Sequence, residues 1–185
     1  MNNYKLAAIV AVVAAVSIVG MAASGNIFKT GVQTNDTSAS MGLKGHVTLV
    51  LLDEFGNVKD YRQFDNLVVN TGFEEVAKLA FATGSSTKFD FIAVGSGSTA
   101  PAAGDTALQT QVGNRKQDST PTYNSGTKKV TIDVTFNAGE STGTIRESGL
   151  FNASTGGQMF ARQTFSDINK GASDSLTVTW EITLS

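Results

Sequence analysis

Leu176-Thr-Val-Thr-Trp-Glu-Ile-Thr-Leu184 is the stretch on which the fold turns. Leu176, Val178, Trp180, Ile182 and Leu184 alternate with Thr177, Thr179, Glu181 and Thr183. Successive side chains of a strand point to opposite faces, so the segment reads as a strand with one buried and one wet face. The same period recurs upstream, where Val130, Ile132, Val134 and Phe136 alternate with Lys129, Thr131, Asp133 and Thr135. Between the two, residues 144–152 and 158–165 flank Ala153-Ser-Thr-Gly-Gly157, the pattern of a hairpin.

Toward the N-terminus the punctuation continues. Val47-Thr-Leu-Val-Leu-Leu52 is an apolar run closed by Asp53-Glu-Phe-Gly-Asn57, and the Gly56-Asn57 pair predicts that Val58 to Phe64 returns as a hairpin partner. After Asn66-Leu-Val-Val-Asn70, the spacing predicts one helix over about 71–82. Thr71 and Glu74 would form its capping box, and Phe73, Val76, Ala77, Leu79, Ala80 and Phe81 its apolar side. Lys88 to Val94 returns to strand, and a glycine- and alanine-rich loop runs from Gly95 to Asp105. Short strands, turn punctuation and a single helix predict a mainly β chain, an antiparallel β-sandwich over 46–185.

Composition bounds the function. A length of 185 residues gives one ordinary domain with a real core plus a further segment. Fourteen basic against sixteen acidic residues leave a net charge of -2, without a basic run, so nucleic acid is not an expected partner. The absence of cysteine removes disulfides, thiolate nucleophiles and thiolate zinc sites. From Leu6 to Ala23 no residue is charged and Ser17 is the only polar side chain. With Lys5 before it and the small residues Ala22, Ala23, Ser24 and Gly25 after it, the segment fits an export signal, residues 1–24. Uncleaved, its eighteen residues would make a membrane anchor, because at about 1.5 Å each they span about 27 Å. A pilin-like polymerisation helix fits less well, since Lys5 is followed by Leu6 rather than Gly or Ala. Either of the first two readings places the domain outside the cell or on its surface. Residues 25–45 then turn small and polar, an extended arm or linker in which Asn26, Ile27, Phe28 and Val32 could pair as a strand.

Several patterns imitate catalytic or binding motifs. His46 is the only histidine, and no acidic or ligand residue stands at helical or strand spacing to it, so a surface histidine at a strand start is expected. Ser85-Ser-Thr-Lys88 with Lys29-Thr-Gly31 matches the elements of serine acyl-enzymes in the wrong order, after the helix rather than opening it. Gly95-Ser-Gly-Ser-Thr-Ala100 follows a strand like a phosphate loop, but Pro101 and Gly104 argue against the helix such a loop needs. Asp53, Glu54, Asp60 and Asp65 cluster around one hairpin without the D-x-D-x-D-G spacing of a calcium loop. Asn35-Asp-Thr37 and Asn152-Ala-Ser154 are glycosylation sequons. No catalytic, cofactor or metal site is expected.

Read together, Asn66 to Gly72, Ile92 to Leu108 and Glu147 to Asn152 with the strands after it resemble a β domain of tail-fibre and other structural proteins of tailed phages. The resemblance spans about residues 45–185 and implies a non-enzymatic component that assembles or attaches. An apolar N-terminal segment departs from that pattern and shifts the expectation to a cell-surface or filament subunit whose main partner is itself. A virion component and a monomeric ligand-binding module are the alternatives. The arm over 25–45 separates them, because a self-assembling subunit can lend it to the next copy's sheet.

Overall fold

A computed structural model describes residues 42–82 and 87–185. The export or anchor segment, the arm positions Asn26, Ile27, Phe28 and Val32, the sequon at Asn35, Lys29 to Gly31 and Ser85 lie outside the described residues.

The period-two segments all become strands. In chain order the elements are β1 (Leu43–Leu52), β2 (Val58–Val68), α1 (Asn70–Phe81), β3 (Phe91–Gly95), β4 (Lys116–Gln117), β5 (Thr122–Asn124), β6 (Lys129–Phe136), β7 (Gly143–Phe151), β8 (Met159–Lys170) and β9 (Ser175–Leu184). β1 starts before His46, so the last residues of the 25–45 stretch belong to the sheet. β2 runs unbroken through Asn66, where the sequence suggested two separate segments. The strands form one antiparallel sheet in the order β4-β3-β7-β8-β2-β1-β9-β6-β5.

That sheet curls on itself. At its ends the Asp133 N–H donates to Asp118 Oδ2 (3.0 Å) and Lys116 Nζ donates to the Thr135 carbonyl (2.7 Å), so side chains close the gap between the β4 end and β6. Val47, Leu49 and Leu51 of β1, with Leu176, Val178 and Trp180 of β9, bury the inner face of one half. Opposite them stand Ile145 and Leu150 of β7 and Ile168 of β8, and Trp180 Nε1 crosses the interior to Ser148 Oγ at 3.2 Å. β2 is the hinge between the halves. It pairs with β1 along its length but with β8 only through Leu67↔Arg162 and Val68↔Ala161, so from Val58 to Asn66 its outer side meets no strand among the described residues. Asp60 and Arg62 are joined there at 2.7 Å and share a face with Phe64, a pair of inward charges of the kind that guards an edge against unwanted pairing.

The helix forms where expected but starts and turns differently. Val69 occupies the N-cap position with an extended backbone and no side-chain cap, and Thr71 Oγ1 donates instead to the Met159 carbonyl (2.9 Å). The capping box between Thr71 and Glu74 is therefore absent. α1 is started by tertiary docking: the Val69 N–H donates to Phe160 O (3.0 Å), and Gly72 lies so close to the Phe160 backbone that a Cβ would collide with it. This contact sets the rotation of the helix. Gly72 and Glu75 are buried, whereas Phe73, Leu79 and Phe81 of the expected apolar side are 46%, 48% and 82% exposed. Among the described residues no helix is long and apolar enough to cross a membrane.

Candidate functional site

Polar side chains concentrate under the loop between β3 and β4. Glu147 on β7 and Arg162 on β8 sit diagonally across the strand pair, since Glu147 opposes Thr164 and Arg162 opposes Gly149. Both are almost completely buried, and Arg162 Nη2 stands 2.8 Å from Glu147 Oε2. Burying two charges is tolerable only when their remaining hydrogen-bonding capacity is met. Here the loop meets it. Glu147 Oε1 accepts from the Gly97 N–H (3.0 Å) and the Thr110 N–H (2.9 Å), and Oε2 accepts from the Gln109 N–H (3.1 Å) and Arg162 Nε (2.9 Å). Arg162 also donates to Thr99 O (3.1 Å) and to Asp105 Oδ2 (2.8 Å), which in turn accepts from the Ala102 N–H (3.0 Å). Burial pushes the Asp105 carboxyl up, but the Ala102 N–H and the Arg162 guanidinium outweigh it and hold the group below its ordinary range.

The glycines of Gly95-Ser-Gly97 gain their reason from this clamp. A Cβ at either would press against Glu147 Oε1, at 2.6 and 2.5 Å. The loop thus wraps a protein carboxylate, and its backbone N–H groups are already taken. No helix follows it. Leu108 from the same loop packs on Ala93, Phe151 and Met159, a second small core that covers the outer face of β3, β7 and β8. As chemistry, the arrangement is a fastening, in which the Glu147 carboxylate is fully buried.

The other sequence candidates are dispersed. His46 sits within β1, flanked on both sides by strands, and its Nδ1 lies 3.1 Å from Asp65 Oδ1. An acidic partner thus exists across the strand pair, where linear spacing could not show it. Asp53 accepts from the Phe55 and Asn57 N–H groups (2.9 and 2.8 Å) and caps the β1–β2 turn, while Asp60 holds Arg62. Asp53, Asp60 and Asp65 therefore serve separate partners, and among the described residues no group of three or more His, Asp or Glu could hold a metal ion. Lys88 pairs with Asp90 at 3.0 Å, ahead of β3 rather than within it. Asn152 is a turn residue whose Oδ1 accepts the Gln158 N–H (2.7 Å), and Arg115 holds the same turn by donating to Ala153 O and Gly156 O with its guanidinium 3.5 Å from the Phe151 ring centre.

Two hollows remain. One, of about 270 Å³, is lined by Gly113, Lys116, Glu140 and Ser141, and the Lys116–Glu140 ion pair (2.7 Å) neutralises it. The other, of about 190 Å³, is wholly apolar and lies at the end of the sheet where the chain enters. Leu43, Ile182 and Leu184 line it from one half, Leu150 and Phe160 from the other, and Val76 of α1 reaches it too. Sequence reasoning missed both the clamp and this hollow. A signal existed for the clamp, because Glu147 and Arg162 are opposite charges within strand segments that also carry Ile145, Leu150, Phe160 and Phe165. Compared with known proteins, the chain matches no family, no curated protein and no solved structure at a significant level.

Proposed function

We propose that this chain is an exported, non-enzymatic structural protein, a cell-surface or filament subunit whose copies join through strand contacts made by the arm over residues 25–45. The observation that carries this reading is the first strand of the sheet, which is paired on both sides. Gly42 N–H donates to Ser185 O (2.7 Å) and Ser185 N–H to Gly42 O (2.9 Å), so the pairing of β1 with β9 continues to Gly42. β1 is flanked by β2 and β9, so an added strand cannot pair with β1 and has to find another receiver. Extended, the arm presents Phe28 and Val32 on one face, the side-chain spacing by which a lent strand is recognised. The curled sheet acts in this role as a β-sandwich, its halves facing one another across Trp180 and Ser148, and the use of its buried charges to fasten a loop supports a structural rather than a catalytic part. Removal of residues 6–23 leaves a secreted or surface subunit; their retention ties it to the membrane.

Negative-stain microscopy of the exported full chain tests the reading. Filaments or chains of subunits are expected, and deletion of residues 25–40 should yield monomers with an unchanged β signal in circular dichroism. A deletion variant that assembles as well as its parent overturns the role of the arm. A parent that stays monodisperse overturns assembly itself and favours a monomeric binding module.

A further inference from the structure

The polar hollow of about 270 Å³ lies where side chains close the sheet between the β4 end and β6. Gly113, Asn114 and Lys116 line one wall, Gly139, Glu140 and Ser141 from the turn between β6 and β7 the other, and the buried Phe136 contributes an apolar surface. The walls are fastened to each other. Ser141 Oγ donates to Val112 O (2.9 Å), Lys116 Nζ donates to Thr135 O and to Glu140 Oε2 (both 2.7 Å), and Glu140 Oε2 also accepts the Asn137 N–H (2.6 Å). The backbone is left-handed at Gly113, Gly139 and Ser141, with φ of 70°, 80° and 44°. Ser141 carries a Cβ, so its conformation is strained, and such strain persists only where the surroundings over-determine it, as they do in ligand clamps.

The fastening leaves a set of matched donors and acceptors unused. An ammonium has three N–H groups, and Lys116 places two, so one remains. Among the described residues Glu140 Oε1 accepts no hydrogen bond and the Asn114 carboxamide makes none. The hydrogen bond from Lys116, helped by the Asn137 N–H, holds the Glu140 carboxyl below its ordinary range, so it is an acceptor at neutral pH. Lys170, the other cation felt by Glu140, is buried and donates to the Asn137 and Asp174 carbonyls.

These groups select the charge and the polarity of a ligand. An anion is repelled by Glu140 and a cation by Lys116, and the pair is one to one. An apolar molecule would strip water from the unused groups without replacing its hydrogen bonds. A neutral molecule with adjacent hydroxyls meets every requirement: one hydroxyl donates to Glu140 Oε1 and accepts from Lys116 Nζ, and the next pairs with the Asn114 carboxamide. Phe136 offers an apolar surface to the C–H face of a ring, and the volume falls just below that of a drug-sized pocket, which leaves room for a single ring. We propose that this hollow binds one neutral sugar ring through Asn114, Lys116 and Glu140. The site goes beyond the assembly reading and is the same in a filament and in a monomer.

Saturation-transfer difference NMR of the full chain reads this in either state, with the methyl α-glycosides of glucose, galactose and mannose as probes. At least one should show saturation transfer with a dissociation constant of about 1 to 10 mM, the affinity of a few net hydrogen bonds. Methyl phosphate and tetramethylammonium should show none. Asn114→Ala, which breaks no hydrogen bond of the fold, should weaken the sugar at least fivefold at an unchanged melting temperature. Glu140→Gln leaves Lys116 unbalanced, so it should lose the sugar and gain methyl phosphate. Silence from all three glycosides overturns the proposal, and so does sugar binding of equal strength in Asn114→Ala and Glu140→Gln. Methyl phosphate bound by the parent would make the hollow an anion site and overturn it as well.

Discussion

Trp180 shows how one side chain ties the two halves of the sheet together. Its ring is fully buried among Val47, Ile132 and Val178, and its N–H reaches Ser148 on the opposite half. Trp180→Ala should cost about 3 to 5 kcal/mol in urea denaturation, the range for deleting a buried aromatic, and a loss under about 1 kcal/mol would contradict the assigned face. The clamp makes a different demand. Arg162→Met leaves the buried Glu147 carboxyl without its cation, so a destabilisation of about 3 to 5 kcal/mol is expected, with faster hydrogen exchange at Gly97, Gln109 and Thr110. Unaltered exchange there would mean that the loop holds without the guanidinium. At this scale the sequence was legible wherever alternation was clean: Trp180 faces inward because Val178 and Ile182 do. Glu147 and Arg162 were not, since a charge inside a strand reveals neither the partner across the sheet nor the loop that covers it.

Among the elements, α1 was legible in place and length but not in orientation. Its apolar spacing pointed to Phe73, Val76, Ala77, Leu79, Ala80 and Phe81 as the inner side, yet the docking of Gly72 on Phe160 leaves Phe73, Leu79 and Phe81 exposed while Val76 packs against the core. A single close backbone approach outweighs the pull of a few apolar side chains, and nothing in local spacing records it. Gly72→Ala should therefore cost about 1 to 3 kcal/mol, the range for overpacking, although alanine is the better helix former. A stabilised variant would show that the helix can shift on β8. β4 and β5 escaped sequence reading because two- and three-residue strands carry no period, and only their partners β3 and β6 define them.

For the molecule as a whole, the ion pairs set the response to pH. A hydrogen bond from Lys59 lowers the Asp174 carboxyl below its ordinary 3.8, one from Arg146 does the same for Asp167, and one from Lys116 lowers Glu140 below 4.5. Carboxyls lowered by folding contribute stability that is fully present above their ordinary values and is lost as pH falls through the folded ones. The urea midpoint should thus hold steady from pH 7 to about 5 and fall below about 4, and a flat profile down to about pH 2 would remove these pairs from the account. Lys170 works at the other end. Burial lowers its ammonium below the ordinary 10.5, so the unfolded chain binds more protons just under that value and stability rises with pH there. Lys170→Met should abolish that alkaline rise. The general architecture, antiparallel and glycine-turned, followed from the sequence, while the apolar hollow did not, because it is made by residues from five strands and a helix that meet only in the fold.

The pairing of Gly42 with Ser185, and of β1 with β9 beside it, joins the two ends of the described chain at the middle of the sheet. Such a topology has high contact order, and it is complete only when the last strand is available. A chain synthesised from its N-terminus therefore keeps β1 without one of its two neighbours until β9 emerges. Truncation after Asp174 should accordingly leave a chain that never closes its core and remains fully open to protease, however intact the first eight strands are in sequence.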